Sequence, residues 1–332
     1  MTPMVRVKPG SLRSCQNIEV NINGGYMTPK GYERYDGQAK PSDAAYAILN
    51  VTITGSFAAG NVILGATSGA TATVIAVVTT GQAYLAITKI TGTFNSSENL
   101  TVSAVVQGNT DAAQVLSGGS TAQMHAQYKN LAADQYRADI DAIPGSGNVL
   151  GVIKLGSILY GFRNNAGGTA CAIYKSSASG WATVALGREL AFTSGGTTEI
   201  TEGQTITGAT SAATAVVTRV MLQSGSWLAG TAAGKFIFAS QTGTFQAENI
   251  NVGATLDLAT IAGNSSAITL SASGRYEFDI ANFGGQAGVD RIYGADGVNR
   301  GFEFDGTVFC PITTGMTTDT PLHVKAHKNH LF

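Results

Sequence analysis

Gly60-Asn-Val-Ile-Leu-Gly-Ala-Thr-Ser-Gly-Ala-Thr-Ala-Thr-Val74 returns further along the chain as Gly203-Gln-Thr-Ile-Thr-Gly-Ala-Thr-Ser-Ala-Ala-Thr-Ala-Val-Val217. Each copy then closes on a second shared phrase. Thr91-Gly-Thr-Phe-Asn-Ser-Ser-Glu-Asn-Leu-Thr-Val102 answers to Thr242-Gly-Thr-Phe-Gln-Ala-Glu-Asn-Ile-Asn-Val252. Between the two phrases the second copy gains residues, which the pattern assigns to a hairpin. A repeat of this size is the mark of a duplicated folding unit. What repeats is β-branched residues, Gly and Thr, so the unit reads as a structural module without an acid–base or nucleophile set.

Composition narrows the classes. The chain has 332 residues, enough for two or three compact units. Only 12% of residues are charged and 42 are Gly, against about 25% charged in an ordinary globular domain. Solubility then rests on Thr, Ser, Asn and Gln, or other subunits cover much of the surface; the second is expected. A net charge of −1 gives no basic field to hold nucleic acid. Cys15, Cys171 and Cys310 are widely spaced, in no CxxC pair, and read as buried free thiols. The opening Met1-Thr-Pro-Met lacks the apolar stretch of a signal peptide. No run reaches the roughly 18 apolar residues of a membrane span.

The organisation reads as all-β. Residues 1–44 carry turn signals around one alternating stretch, Ile18–Ile22, and suggest a docking arm. Residues 45–118 are the first repeat module, with Thr on the wet face of alternating strands. Residues 119–194 hold a polar connector and one short helix, Asn130–Ile143, stopped by Pro144-Gly145. A set of four short strands follows: Val149–Lys154, Ile158–Arg163, Ala170–Lys175 and Trp181–Leu186, the size of one propeller blade. Arg188–Ser194 is expected to begin a second blade, which the second module (195–272) interrupts and Arg275–Phe283 resumes. Residues 273–332 complete it, with Ile292-Tyr-Gly echoing Leu159-Tyr-Gly and an Asp305-Gly306 hairpin. Leu322–Ala326 suggests a strand opening another blade. The expected architecture is an incomplete or interrupted β-propeller-like core with two inserted small β-barrel or sandwich modules.

No residue set reads as catalytic, metal-binding or cofactor-binding. His323, His327 and His330 crowd together, but on a strand 323 and 327 share a face that 330 leaves, and no Cys or carboxylate completes a ligand set. His125 reads as a connector residue. Gly65-Ala-Thr-Ser-Gly-Ala-Thr-Ala resembles a phosphate loop but lacks the Lys and the following helix, so it reads as a tight turn. Asp134, Asp139 and Asp141, and the strand pair Glu277 and Asp279, read as solvated acids; no cleft sets two of them across a glycosidic bond. Asp290, Asp296 and Asp305 sit in Gly-rich turns, where Asp bonds its own backbone; calcium is the alternative. Tyr160, Phe162, Tyr174, Trp181, Tyr276, Phe278, Phe302 and Phe304 read as core between blades.

One family resemblance runs through these residues. Asn17-Ile-Glu-Val-Asn-Ile-Asn-Gly-Gly-Tyr-Met-Thr-Pro-Lys-Gly-Tyr-Glu-Arg-Tyr-Asp-Gly37 resembles the opening of tailed-bacteriophage virion proteins. Tyr136–Gly147, Tyr160-Gly-Phe-Arg-Asn-Asn165 and Gly180-Trp181 are similar to segments of the same group, nearest to the tail nozzle or hub proteins of short-tailed phages. The resemblance implies a virion tail protein, made in the bacterial host cytoplasm, whose propeller-like subunits form a homo-oligomeric ring, usually a hexamer. It also implies portal, adaptor and other tail proteins as partners, and DNA passing without specific binding. The expected role is therefore a non-enzymatic nozzle or hub subunit. The alternatives are a peripheral glycan-binding adhesin, which needs exposed module aromatics such as Tyr84 and Trp227, and a tail-associated depolymerase.

Overall fold

Register shifts between Thr71 and Thr73, Val74 and Ala76, and Leu100 and Thr101 bend the strands of the first repeat, which close into a ring. The computed structural model describes residues 19–20, 26–27, 33–116, 121–283, 285, 288–328 and 330–332. It is mostly β, with one α-helix among the described residues. The chain divides into Met1–Arg34 and Tyr35–Phe332. In the first unit β1 (Glu19–Val20) pairs antiparallel with β2 (Tyr26–Met27); most of the expected docking arm lies outside the described residues.

The second unit begins with a ring of six strands. These are β3 (Ala47–Ile53), β4 (Val62–Gly65), β5 (Thr71–Val78), β6 (Tyr84–Thr91), β7 (Asn99–Val102) and β8 (Val105–Thr110); β9 (Val115–Leu116) adds to β3. Pairing runs β3–β6–β5–β4–β7–β8 and back to β3, all antiparallel. The meander β4–β5–β6 with β7 returning beside β4 is a Greek key. So narrow a ring is filled by side chains. Leu49, Ile63, Val74, Leu85, Ile87, Phe94 and Leu100 are buried inside it, with Ala47, Ala70 and Ala72 where less space remains.

The helix α1 (Ala122–Asp139) starts earlier and stops sooner than the sequence pattern predicts. Thr121 caps it, its hydroxyl accepting from the Met124 N–H at 3.3 Å. Its first turns are polar, so apolar periodicity alone misses them, and at 18 residues it is not short. Tyr128 and Ala132 pack with Met124, Leu131 and Tyr136 on the outside of the ring, against Tyr46, Ile75 and Ala86. His125, expected in a connector, lies in this helix, its Nδ1 2.9 Å from the Tyr46 hydroxyl.

Four strands follow in a meander: β10 (Ser146–Leu155), β11 (Ile158–Asn164), β12 (Ala170–Ser177) and β13 (Gly180–Thr183). The chain then enters a second ring. Its strands are β14 (Arg188–Thr193), β15 (Thr205–Gly208), β16 (Thr214–Val216), β17 (Arg219–Ser224), β18 (Ala233–Phe238), β19 (Gln241–Thr242), β20 (Ala247–Val252) and β21 (Thr255–Ala262). The circuit of the first ring repeats, with β16 and β17 standing for β5, and β18 and β19 for β6. The extra residues lie in the β17–β18 hairpin, where Trp227 turns inward and stacks on Phe192 with ring centroids 5.3 Å apart. Arg188–Thr193, expected to begin a second blade, belongs to this ring instead. Alternation of apolar and polar residues looks the same in either setting.

After β22 (Ser266–Ala267), which pairs β14, and β23 (Leu270–Ser271), which pairs β12, a second meander forms without interruption. It consists of β24 (Glu277–Ala281), β25 (Arg291–Ala295), β26 (Phe302–Phe304) and β27 (Phe309–Pro311). The echo noted above is thereby placed: Tyr160-Gly161 and Tyr293-Gly294 occupy the second strand of each meander. The two sheets share one aromatic core. Tyr160 meets Phe304 edge-on at 5.1 Å, and Phe162 lies 5.0 Å from Phe278 and 5.8 Å from Phe302. Among the described residues the two sheets form no closed circle of blades. The last hairpin, β28 (Ala326–His327) with β29 (His330–Leu331), begins only at the end of the strand expected over 322–326.

Candidate functional site

The repeated turn is an anion cradle that the chain fills itself. Between β4 and β5 the N–H groups of Thr67 and Ser68 point at Glu98 Oε2 (3.1 and 2.8 Å). Oε1 accepts from the Ser68 hydroxyl at 2.8 Å and the Asn95 N–H at 2.6 Å. The second ring repeats this atom for atom. Glu248 Oε2 accepts from Thr210 N–H (2.7 Å) and Ser211 N–H (2.8 Å), and Oε1 from Ser211 Oγ (2.6 Å) and Gln246 N–H (3.1 Å). Both carboxylates are buried. Burial opposes their ionisation, but these hydrogen bonds outweigh it and hold both carboxyls below the usual range. Gly65 is required because a Cβ there would come within 2.7 Å of the carboxylate oxygens. The loop that resembled a phosphate site therefore does bind an anion, and that anion is Glu98 or Glu248. The shared Glu-Asn of the closing phrase was the available signal; what the sequence does not display is that it folds back onto the turn.

The remaining candidates disperse. His323 Nδ1 lies 2.6 Å from Glu277 Oε2, whereas His327 and His330 face each other across the terminal hairpin. Asp279 accepts from the Ala326 N–H at 2.8 Å and pairs with Lys325 at 3.0 Å. The His323 bond holds the Glu277 carboxyl below its usual range, and the Ala326 N–H does the same for Asp279. Asp279 thus anchors the terminal hairpin, and Glu277 the segment leading into it. Asp134 pairs with Arg137, Asp139 with Lys89 at 2.6 Å, and the Asp141 N–H donates to Asp36 at 3.0 Å. Asp296 accepts from the N–H groups of Val298 and Asn299, and Asp305 from those of Thr307 and Val308, as turn residues do. Asp290 lines a cleft with Asp305 and Tyr160. Among the described residues no group of three or more His, Cys, Asp or Glu is placed to hold a metal.

The aromatic residues that a sugar-binding module would need are buried or held by hydrogen bonds. Trp227 is buried, and the Tyr84 hydroxyl is 2.9 Å from that of Tyr128, whose pKa burial and this bond push up to about 12. Trp181, expected in the core between the blades, is instead half-buried outside that cluster and donates its indole N–H to the Asp141 carbonyl at 3.1 Å.

The first ring has one distinctive outer face, and sequence reading missed it. Leu64, Thr101 and Val106 stand in a row across β4, β7 and β8, flanked by Val62 and Val105. Val62 and Val105 are 59% and 58% exposed, well beyond a core position. The second ring has Thr205, Thr207 and Thr255 where the first has Val62, Leu64 and Val105. Lys89, Glu98 and Asp111 are the only charged residues between 45 and 116. Lys89 is paired and Glu98 buried, leaving this face almost without charge. Detecting it requires knowing which alternate residues face out of a closed ring.

No protein-family model, curated protein or solved structure matches the chain. No helix among the described residues is long and apolar enough to cross a membrane.

Proposed function

We propose that this chain is a non-enzymatic structural subunit of a bacteriophage tail or neck. Several copies, six in the expected arrangement, form a ring around the DNA exit channel. The observation that carries the reading is the uncharged apolar face of the first ring. A face of exposed Val and Leu on a closed β-ring has no use in water and is suited to cover by a neighbouring subunit. The two meanders support a propeller-like core: each has four strands, and they pack through a shared aromatic layer. Their outer strands β13 and β27 pair on one side only among the described residues and offer edges to neighbours. The near-neutral charge suits a conduit, since a basic lining would grip passing DNA with salt-dependent affinity. The phrase Asn17–Gly37 supplies the phage assignment, with portal, adaptor and other tail proteins as partners.

The test is placement on the particle. Gold-labelled antibody against the second ring should mark the tail axis in electron micrographs of the virion that carries this protein. Label confined to peripheral fibres would overturn the reading in favour of an adhesin.

A further inference from the structure

The second ring meets the rest of the molecule through a mixed seam, in which Ile237 and Met221 pack into the same apolar cluster as Phe309 and Cys310 and ion pairs cross beside them, in a chain that uses little charge. It is joined by a narrow neck: β14 and β22 pair at Arg188↔Ala267, and the Ile268 N–H donates to the Gly187 carbonyl at 3.0 Å. Beyond the neck, it faces the outer side of the β24–β27 sheet. Tyr293, Glu303 and Cys310 lie opposite one another across β25, β26 and β27, so they share that side, while Phe302 and Phe304 point to the aromatic core. Arg219 of β17 reaches across to Glu303 at 2.9 Å and Asp305 at 2.7 Å, and Glu202 of its own ring lies 2.9 Å from its Nε. Arg291 and the Tyr293 hydroxyl hold Glu303 from the sheet side, at 2.6 and 3.1 Å. A second crossing joins Glu189 of β14 to Arg300 at 3.1 Å, with Lys235 on Glu189 at 2.7 Å. Arg219 is 12% exposed and Glu189 16%, so these pairs are partly shielded from water. Beside them a small apolar cleft of about 70 Å³ is lined by Ile237, Phe238, Val308 and Phe309, so packing there is incomplete.

From this arrangement we infer that the second ring is a hinged body, latched onto the β24–β27 sheet by Arg219 and the Glu189–Arg300 pair. Loss of the charge pairs lets it swing on its neck. The ring itself stays closed, because its strand circuit and its core around Phe192, Phe236 and Ile250 are separate from the seam. Opening uncovers Cys310, which is 2% exposed beneath the latch, and leaves Cys171 in the core between the two sheets. The inference is independent of the assembly proposed above, since it concerns one chain.

The experiment is thiol labelling of the full chain with a maleimide, read peptide by peptide by mass spectrometry. Arg219→Gln and Arg300→Gln should each quicken labelling at Cys310 by about tenfold or more, with Cys171 unchanged. Arg300→Gln matters because Arg300 makes none of the contacts around Cys310, so its effect is not a direct change in thiol reactivity. If neither variant folds, the wild-type chain in 1 M sodium chloride decides, with the same pattern expected. Cys310 as protected as in the wild-type chain at low salt would overturn the latch. So would labelling of Cys171 in step with Cys310, which would mean general unfolding.

Discussion

Single residues fix both the turns and the joins. Gly37 is the clearest case: its φ is +100°, and a Cβ there would overlap the Ser177 backbone. Next to it, buried Asp36 accepts from the N–H groups of Gln38 and Asp141, and its own carbonyl accepts from Ser177, so this short strap binds the end of α1 to the β12–β13 hairpin. Gly37→Ala should cost about 2–4 kcal/mol, from a left-handed backbone and steric overlap together; denaturant unfolding measures it. The converse holds at the tip of the β7–β8 hairpin. Ser103 and Ala104 both have positive φ (51° and 65°) and are exposed, a geometry that Asn-Gly adopts far more readily. Replacing the pair by Asn-Gly should raise stability by roughly 1 kcal/mol. Glu98 and Glu248 give a pH signature. Their carboxyls are held below the unfolded value, so their stabilisation is complete above that value and is lost as pH falls through the folded one. Glu98→Gln should cost roughly 1–3 kcal/mol at neutral pH by leaving turn N–H groups unsatisfied. A series of melting temperatures from pH 7 to pH 3 should show the gap to the wild-type chain closing in acid.

At the scale of elements, the duplication was legible and the boundaries were less so. Ile63, Ala72 and Val74 recur as Ile206, Ala215 and Val217, all buried in the two ring interiors, so the repeated phrase reports a repeated packing solution. Four strands of the first meander were legible because Gly156, Asn164–Gly168 and Ser179-Gly180 punctuate them. The strand Arg188–Thr193 was misassigned because its partners, β18 and β21, are distant in sequence, and alternation does not say which sheet a strand joins. The early start of α1 was hidden by its polar first turns; only Thr121, as a cap, marks it. The anion cradle was half legible, as a turn without its carboxylate, and the ionic seam was not legible at all. Arg219, Glu303 and Asp305 carry no local signal until the second ring folds onto the sheet.

For the whole molecule, the sparse charge divides into two uses. Arg219, Glu303, Asp305, Glu189 and Arg300 cross the join between the second ring and the β24–β27 sheet, while the first ring presents a nearly uncharged face. In the proposed assembly that face is a subunit contact. Leu64→Lys with Val106→Lys, both at exposed positions outside the ring core, should leave the melting temperature within a few degrees of the wild-type chain and abolish oligomers. Size-exclusion chromatography with light scattering reads that outcome. Electron-microscopic class averaging of the purified full chain decides whether it assembles into rings. Closed rings with an open centre are expected, and a field of single chains at high protein concentration would rule the ring out.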